Sequence, residues 1–125
     1  MLGDNDAIAT IPVRDIDTAK KFYEDKLGLM AGPSEQPGVL TCKSGSTSVL
    51  VYESEFAGTN EATAATWAVD DVDGTVRSLK EKGVTFEHYN FPDTKLDGDV
   101  HVSGKMRAAW FKDPDGNILA VVGRG

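Results

Sequence analysis

One cysteine, two histidines, no long apolar run and no excess of basic residues set the first limits on this chain. Cys42 has no partner for an intrachain disulfide or a cysteine-based metal cluster, which suits a reducing compartment. No apolar stretch approaches membrane-spanning length, and the opening Met1-Leu2-Gly3-Asp4-Asn5-Asp6 is acidic, so a cytoplasmic protein that does not enter a membrane is expected. With 13 Lys and Arg against 20 Asp and Glu the formal charge is −7, which argues against nucleic acid and anionic surfaces as partners. A nucleophile elbow, a phosphate-cradling glycine loop and a paired-cysteine motif are all missing, and with them the commonest catalytic signatures.

What remains is enough for one domain, since 125 residues can bury a single core without disulfides or structural metals. Ala7 to Val13 reads as a strand, and Asp15 as the N-cap of a helix in which Ile16, Ala19, Phe22, Tyr23 and Leu27 form the apolar stripe. Gly28 ends that helix. Short strands follow at Leu29 to Ala31, Gly38 to Lys43 and Thr47 to Glu53, with Ser44-Gly45-Ser46 as the last turn.

The order then repeats. Ala64 to Val69 is a strand, Asp71 an N-cap, Val72, Val76 and Leu79 a stripe, Gly83 a stop, and Val84 to His88 a strand. Asp15 matches Asp71 and Ile16 matches Val72 at an offset of 56, whereas Gly45 matches Gly116 at 71. Module two therefore carries an insertion, assigned to the polar segment 90–105 and expected as an exposed, mobile loop. The modules run over about 7–53 and 64–123, joined by a linker at 54–63. Asp113-Pro114-Asp115-Gly116-Asn117 has the chemistry of a tight reversal, so the flanking apolar runs pair as a hairpin with Trp110 opposite Ala120 and Ala108 opposite Val122.

A duplicated βαβββ unit with Ile11-Pro12-Val13-Arg14-Asp15-Ile16-Asp17, then Phe22-Tyr23 and Leu27-Gly28-Leu29, then Val69-Asp70-Asp71-Val72-Asp73, then Phe111 to Asn117, resembles the vicinal oxygen chelate superfamily. That group includes glyoxalase I, the bleomycin-resistance proteins and the extradiol dioxygenases. The resemblance covers Ala7 to Val122. It implies an α+β fold of two tandem modules whose curled mixed sheets form a groove with the helices outside, in a homodimer.

Catalytic members of that superfamily hold a divalent metal at four positions, and the resemblance carries these onto Ile8, Val49, Ala64 and Ala120. None bears a lone pair suited to zinc, nickel, iron or manganese, so no metal ligand, no cofactor and no catalytic residue is assigned. His88 and His101, near Glu87, Asp97 and Asp99, are read as surface side chains rather than as ligands or an acid–base pair.

If Ile8 faces the groove, alternation sends Thr10 and Pro12 there too, and in module two Ala64, Thr66 and Ala68. Val49, Val51, Ala120 and Val122 are assigned to the same face from the fourth strands, and Trp110 and Met106 from the hairpin register. Trp67 is sent the other way, under Leu79. The ligand-binding residues expected are therefore Ile8, Thr10, Val49, Ala64, Thr66, Met106, Trp110 and Ala120. Such a lining suits a small aromatic or apolar molecule. The expected function is binding or sequestration of the bleomycin-resistance type without a metal, with the segment 90–105 as a candidate lid. The alternatives are an enzyme acting without the four-ligand metal site and a dimeric scaffold with no ligand.

Overall fold

The structure is a computed structural model and describes residues 1–33 and 36–124. After a turn of 3-10 helix at Leu2–Asp4, the chain enters β1 (Ala9–Val13). Asp15 then caps α1 (Ile16–Lys21), its carboxylate accepting the Thr18 amide at 3.3 Å and the Thr18 hydroxyl at 2.6 Å. The helix continues as a π-helical turn over Phe22–Lys26, in which Leu27 donates to the Phe22 carbonyl, and both Phe22 and Tyr23 are buried. β2 (Met30–Ala31), β3 (Val39–Ser44) and β4 (Thr47–Glu53) complete module one in the order β1-β4-β3-β2, with β1 and β4 parallel.

Module two repeats the scheme with β5 (Thr63–Ala68), α2 (Val72–Glu81), β6 (Phe86–Glu87), β7 (Lys95–Asp97), β8 (Val100–Ser103), β9 (Met106–Lys112) and β10 (Ile118–Arg124). Its strand order is β5-β10-β9-β8-β7, and β6 pairs with the other half of β9. Asp71 caps α2 as Asp15 caps α1, accepting the Gly74 amide at 3.0 Å. The α+β class and the duplicated βαβββ scheme expected from the sequence are thus present.

The insertion is a correction. Instead of a loop, 90–105 contains the β7–β8 hairpin, and β8 extends the sheet by pairing with β9 through His101 and Ala108. Two ion-pair groups tie it down. Arg107 donates to Asp73 on α2 and to Asp97 on β7, both at 2.9 Å, while Asp99 takes Lys80 of α2 and His88. Polar composition marked these residues as loop, although their charges serve as tethers.

One core cluster runs through both modules, containing Ile11, Val51, Cys42 and Tyr23 from the first and Val76, Leu79, Phe111 and Leu119 from the second. Each large side chain so buried contributes ~1.5–3 kcal/mol of hydrophobic stabilisation. Burial also pushes the Cys42 thiol up from its ordinary value, which keeps it protonated and unreactive at neutral pH.

The turn between β9 and β10 is the polar joint between the modules. Buried Asp113 accepts the Tyr23 hydroxyl and the Asn117 side-chain amide on Oδ2, each at 2.8 Å, and the Asp115 and Asn117 backbone amides on Oδ1. Asn117 also donates to the Pro12 carbonyl at 2.7 Å, and the Arg14 amide donates to Asp115. The linker lies over this turn. Gly58 has φ of 75° and its Cα sits so close to the Asp115 carbonyl that a Cβ would overlap it, so glycine is required there.

Candidate functional site

Paired residues on neighbouring strands share a face, so the register sorts the two sides of each sheet. In module one Ala9 pairs with Val49 and Ile11 with Val51, which places both valines on the helix side with the core. Val49 is 4% exposed and does not line the open face. Thr10 pairs instead with Leu50. In module two Thr66 pairs with Ala120 and Ala68 with Val122, so the residue equivalent to Ala120 is Leu50 rather than Val49. The slip has a physical cause. Module one turns between Ser44 and Thr47, whereas module two reverses over the longer segment between Lys112 and Ile118, so Gly45 and Gly116 are not equivalent. A shift of one residue exchanges the faces.

The hairpin register is as expected, with Trp110 opposite Ala120, Ala108 opposite Val122 and Met106 opposite Arg124. Trp110, Ala120 and Thr66 thereby meet on the open face. Thr10 and Ala64 come together in a cavity of about 210 Å³, and Trp110 lines a neighbouring one of about 350 Å³. Ala62, Thr63 and Ile118 form the wall common to both. Ile8 stands 54% exposed beyond the start of β1, and Met106 is exposed at the far end of β9 from Lys112. Trp67 is half-buried against the core on the helix side, and its indole N–H reaches into module one to the Ser44 hydroxyl at 2.8 Å.

The site also contains residues that were not foreseen in it. Tyr89, Phe91 and His101 surround Trp110, with ring centroids 5.7, 5.3 and 4.9 Å from the indole, and the His101 ring stands edge-on to it at 89°. The Trp110 indole N–H donates to Thr63 at 3.1 Å. His101 was read as a surface residue, yet it is 2% exposed, because the β8–β9 pairing carries it onto the face of Ala108 and Trp110. The alternation Tyr89-Asn90-Phe91 after β6 was the available signal, since it places two rings on one side. Burial, with Glu87 nearby, pushes the Tyr89 phenol up from its ordinary value.

A metal does not fit the positions where the resemblance puts one. Ile8, Ala64 and Ala120 offer only alkyl groups, and the fourth position has the same character whether it is taken as Val49 or as Leu50. Among the described residues no three His, Cys, Asp or Glu side chains converge to hold an ion. The carboxylates near the histidines already have partners: Asp97 has Arg107, Asp99 has Lys80 and the single imidazole of His88, and Glu87 has Lys112 at 3.8 Å.

The family model described as Glyoxalase/Bleomycin resistance protein/Dioxygenase superfamily matches residues 6–121, and the chain belongs to that superfamily. Among solved structures it is similar to TnmS3, an antibiotic-binding protein from Streptomyces sp. CB03234, at 25% identity and a TM-score of 0.65, covering 94% of this chain and 93% of that one. A glyoxalase/bleomycin resistance protein/dioxygenase from Alicyclobacillus acidocaldarius superposes with a TM-score of 0.72 at 19% identity, covering 97% and 92%. The fosfomycin resistance protein FosX from Listeria monocytogenes gives 0.72 at 14% identity, covering 97% and 93%. No curated protein matches the sequence. No helix among the described residues is long and apolar enough to cross a membrane.

Proposed function

We propose that this protein binds a small planar molecule on the open face of its sheets, without a metal, and holds it rather than transforming it. The observation that carries this reading is the cluster of Tyr89, Phe91 and His101 around Trp110 beside the 350 Å³ cavity. Aromatic walls with a few polar groups are the composition of a pocket for a flat ligand. The alkyl groups at the four metal positions favour binding over Lewis-acid chemistry there. Likeness to an antibiotic-binding protein points the same way.

The binding form is a homodimer. Ile8, Met30, Leu96 and Met106 are large apolar side chains left exposed, and a second copy would cover such surface. Native mass spectrometry of protein purified from its source tests both statements. The expected spectrum is a dimer carrying a small organic molecule. Near-stoichiometric zinc, nickel, iron or manganese, or turnover of the bound molecule, would overturn the metal-free binding role.

A further inference from the structure

Two polar atoms inside the aromatic cluster find no hydrogen-bond partner among the described residues, although both are shielded from solvent: the Tyr89 hydroxyl and His101 Nδ1. The state of the histidine follows from its other nitrogen. His101 Nε2 accepts the Tyr89 backbone N–H at 2.9 Å, so in the neutral ring the single proton sits on Nδ1. Nδ1–H is therefore a fixed donor with nothing to receive it. Each such group loses its water on folding and gains nothing in return, whereas an apolar ring would fill either place without that cost. Both residues pack beside Trp110, with Tyr89 and His101 centroids 6.2 Å apart and Phe91, 42% exposed, lying against both. Phe91 is the most exposed ring of the group, and with Tyr89 and Trp110 it lines the 350 Å³ cavity.

Resting on the planar-ligand reading above, we infer that the ligand carries an uncharged carbonyl on an aromatic frame, and that its oxygen accepts from His101 Nδ1–H with the Tyr89 hydroxyl as second donor. A carbonyl oxygen has two lone pairs and no proton, which complements two donors. Charge separates it from a carboxylate. Glu61 lines the adjoining cavity and the chain carries a formal charge of −7, so an anion would meet repulsion.

The test uses three probes on the full chain: 2-acetylnaphthalene, 2-isopropenylnaphthalene, which replaces the carbonyl oxygen by CH2, and 2-naphthoate. Affinities come from calorimetric titration, and the contacts from the indole N–H and imidazole nitrogen signals in NMR spectra. The ketone should bind at least roughly tenfold more tightly than the olefin and more tightly than naphthoate, and it alone should shift His101 Nδ1. Tyr89→Phe should melt at or above the parent temperature, because the hydroxyl it removes is unpaired, and should lose most of the preference for the ketone. If ketone and olefin bind alike while the Trp110 signal moves, planar binding stands and the carbonyl anchor falls. Naphthoate as the tightest probe would overturn the uncharged class. A Tyr89→Phe variant melting several degrees lower would show that the hydroxyl is already partnered, and would overturn its role. If no probe moves Trp110, the open-face reading fails and this inference with it.

Discussion

Module one joins its last two strands through Gly45 and Ser46, between the paired Ser44 and Thr47, and this turn meets module two at its edge, where the Ser44 hydroxyl accepts the Trp67 indole N–H. Module two uses 113–117 for the same connection, and there Asp113 and Asn117 are buried and bonded to Tyr23 and Pro12 of module one. The open faces differ as well. That of module one mixes Thr10, Thr41, Lys43 and Ser48 with Val39, Leu50 and Tyr52, while that of module two carries Trp110 and His101 with Tyr89 and Phe91 packed on them. The helix sides, by contrast, are alike and share one apolar cluster. A core must be filled at high density, so both copies keep apolar residues there. An open face has no such constraint, and the two copies have diverged, one face mixed in character and the other built of packed aromatic rings.

The largest expected effect is at the turns. Asp113→Ala removes the acceptor of the Tyr23 hydroxyl and of two backbone amides, and should cost ~3–5 kcal/mol in urea unfolding. Gly45→Ala, at φ of 59° with open space around it, should cost only about 1–2 kcal/mol. Equal losses would show that module two's turn is no more a joint than module one's.

The two tryptophans come next. Trp67→Ala should cost ~2–4 kcal/mol of stability, since that ring packs on the shared core and bonds across to Ser44. Trp110→Ala should cost less stability but weaken binding of a planar probe by ~1–3 kcal/mol. Parallel melting and titration curves on both variants read the difference. A Trp110 variant that binds normally would move the site away from module two's aromatic face.

The joint also has an alkaline signature. Burial first, then the charge of Asp113, pushes the Tyr23 phenol well up from its ordinary value. A group whose folded pKa is raised contributes stability that is present below its unfolded pKa, about 10 for tyrosine, and is lost as pH rises beyond it. Stability should therefore fall above roughly pH 10, and Tyr23→Phe should flatten that fall in melting curves.

The smallest effect is at the inserted hairpin. Hydrogen bonds from Lys80 and then His88 hold the Asp99 carboxyl below its usual range. A depressed pKa contributes stability present above the unfolded value, about 4, and lost as pH falls through the folded one. Amide protection over Lys95–Ser103, measured relative to the intrinsic exchange rate at each pH, should fall on acidification toward that range, with Val39–Glu53 of module one changing less. A uniform loss of protection would mean that the hairpin is not separately tethered.

Much of this fold could be read from local chemistry. The caps at Asp15 and Asp71, the stops at Gly28 and Gly83, and the opposition of Trp110 to Ala120 each depend on a few consecutive residues and on the period of two in a strand. The repeat itself was legible for the same reason. Which strand lies beside which residue was not. Alternation says that Val49 and Val51 share a face but not which one, and the answer came from the pairing of β1 with β4 across 33 intervening residues. His101 looked like a loop residue because its neighbours are polar, and only the pairing of β8 with β9 buries it among three other aromatic rings. Sequence by itself determined the duplicated βαβββ elements, though not the inserted hairpin, and the alkyl groups at the expected metal positions. Tertiary structure decided the faces, the joint at Asp113 and the aromatic cluster, because these depend on contacts between segments far apart along the chain.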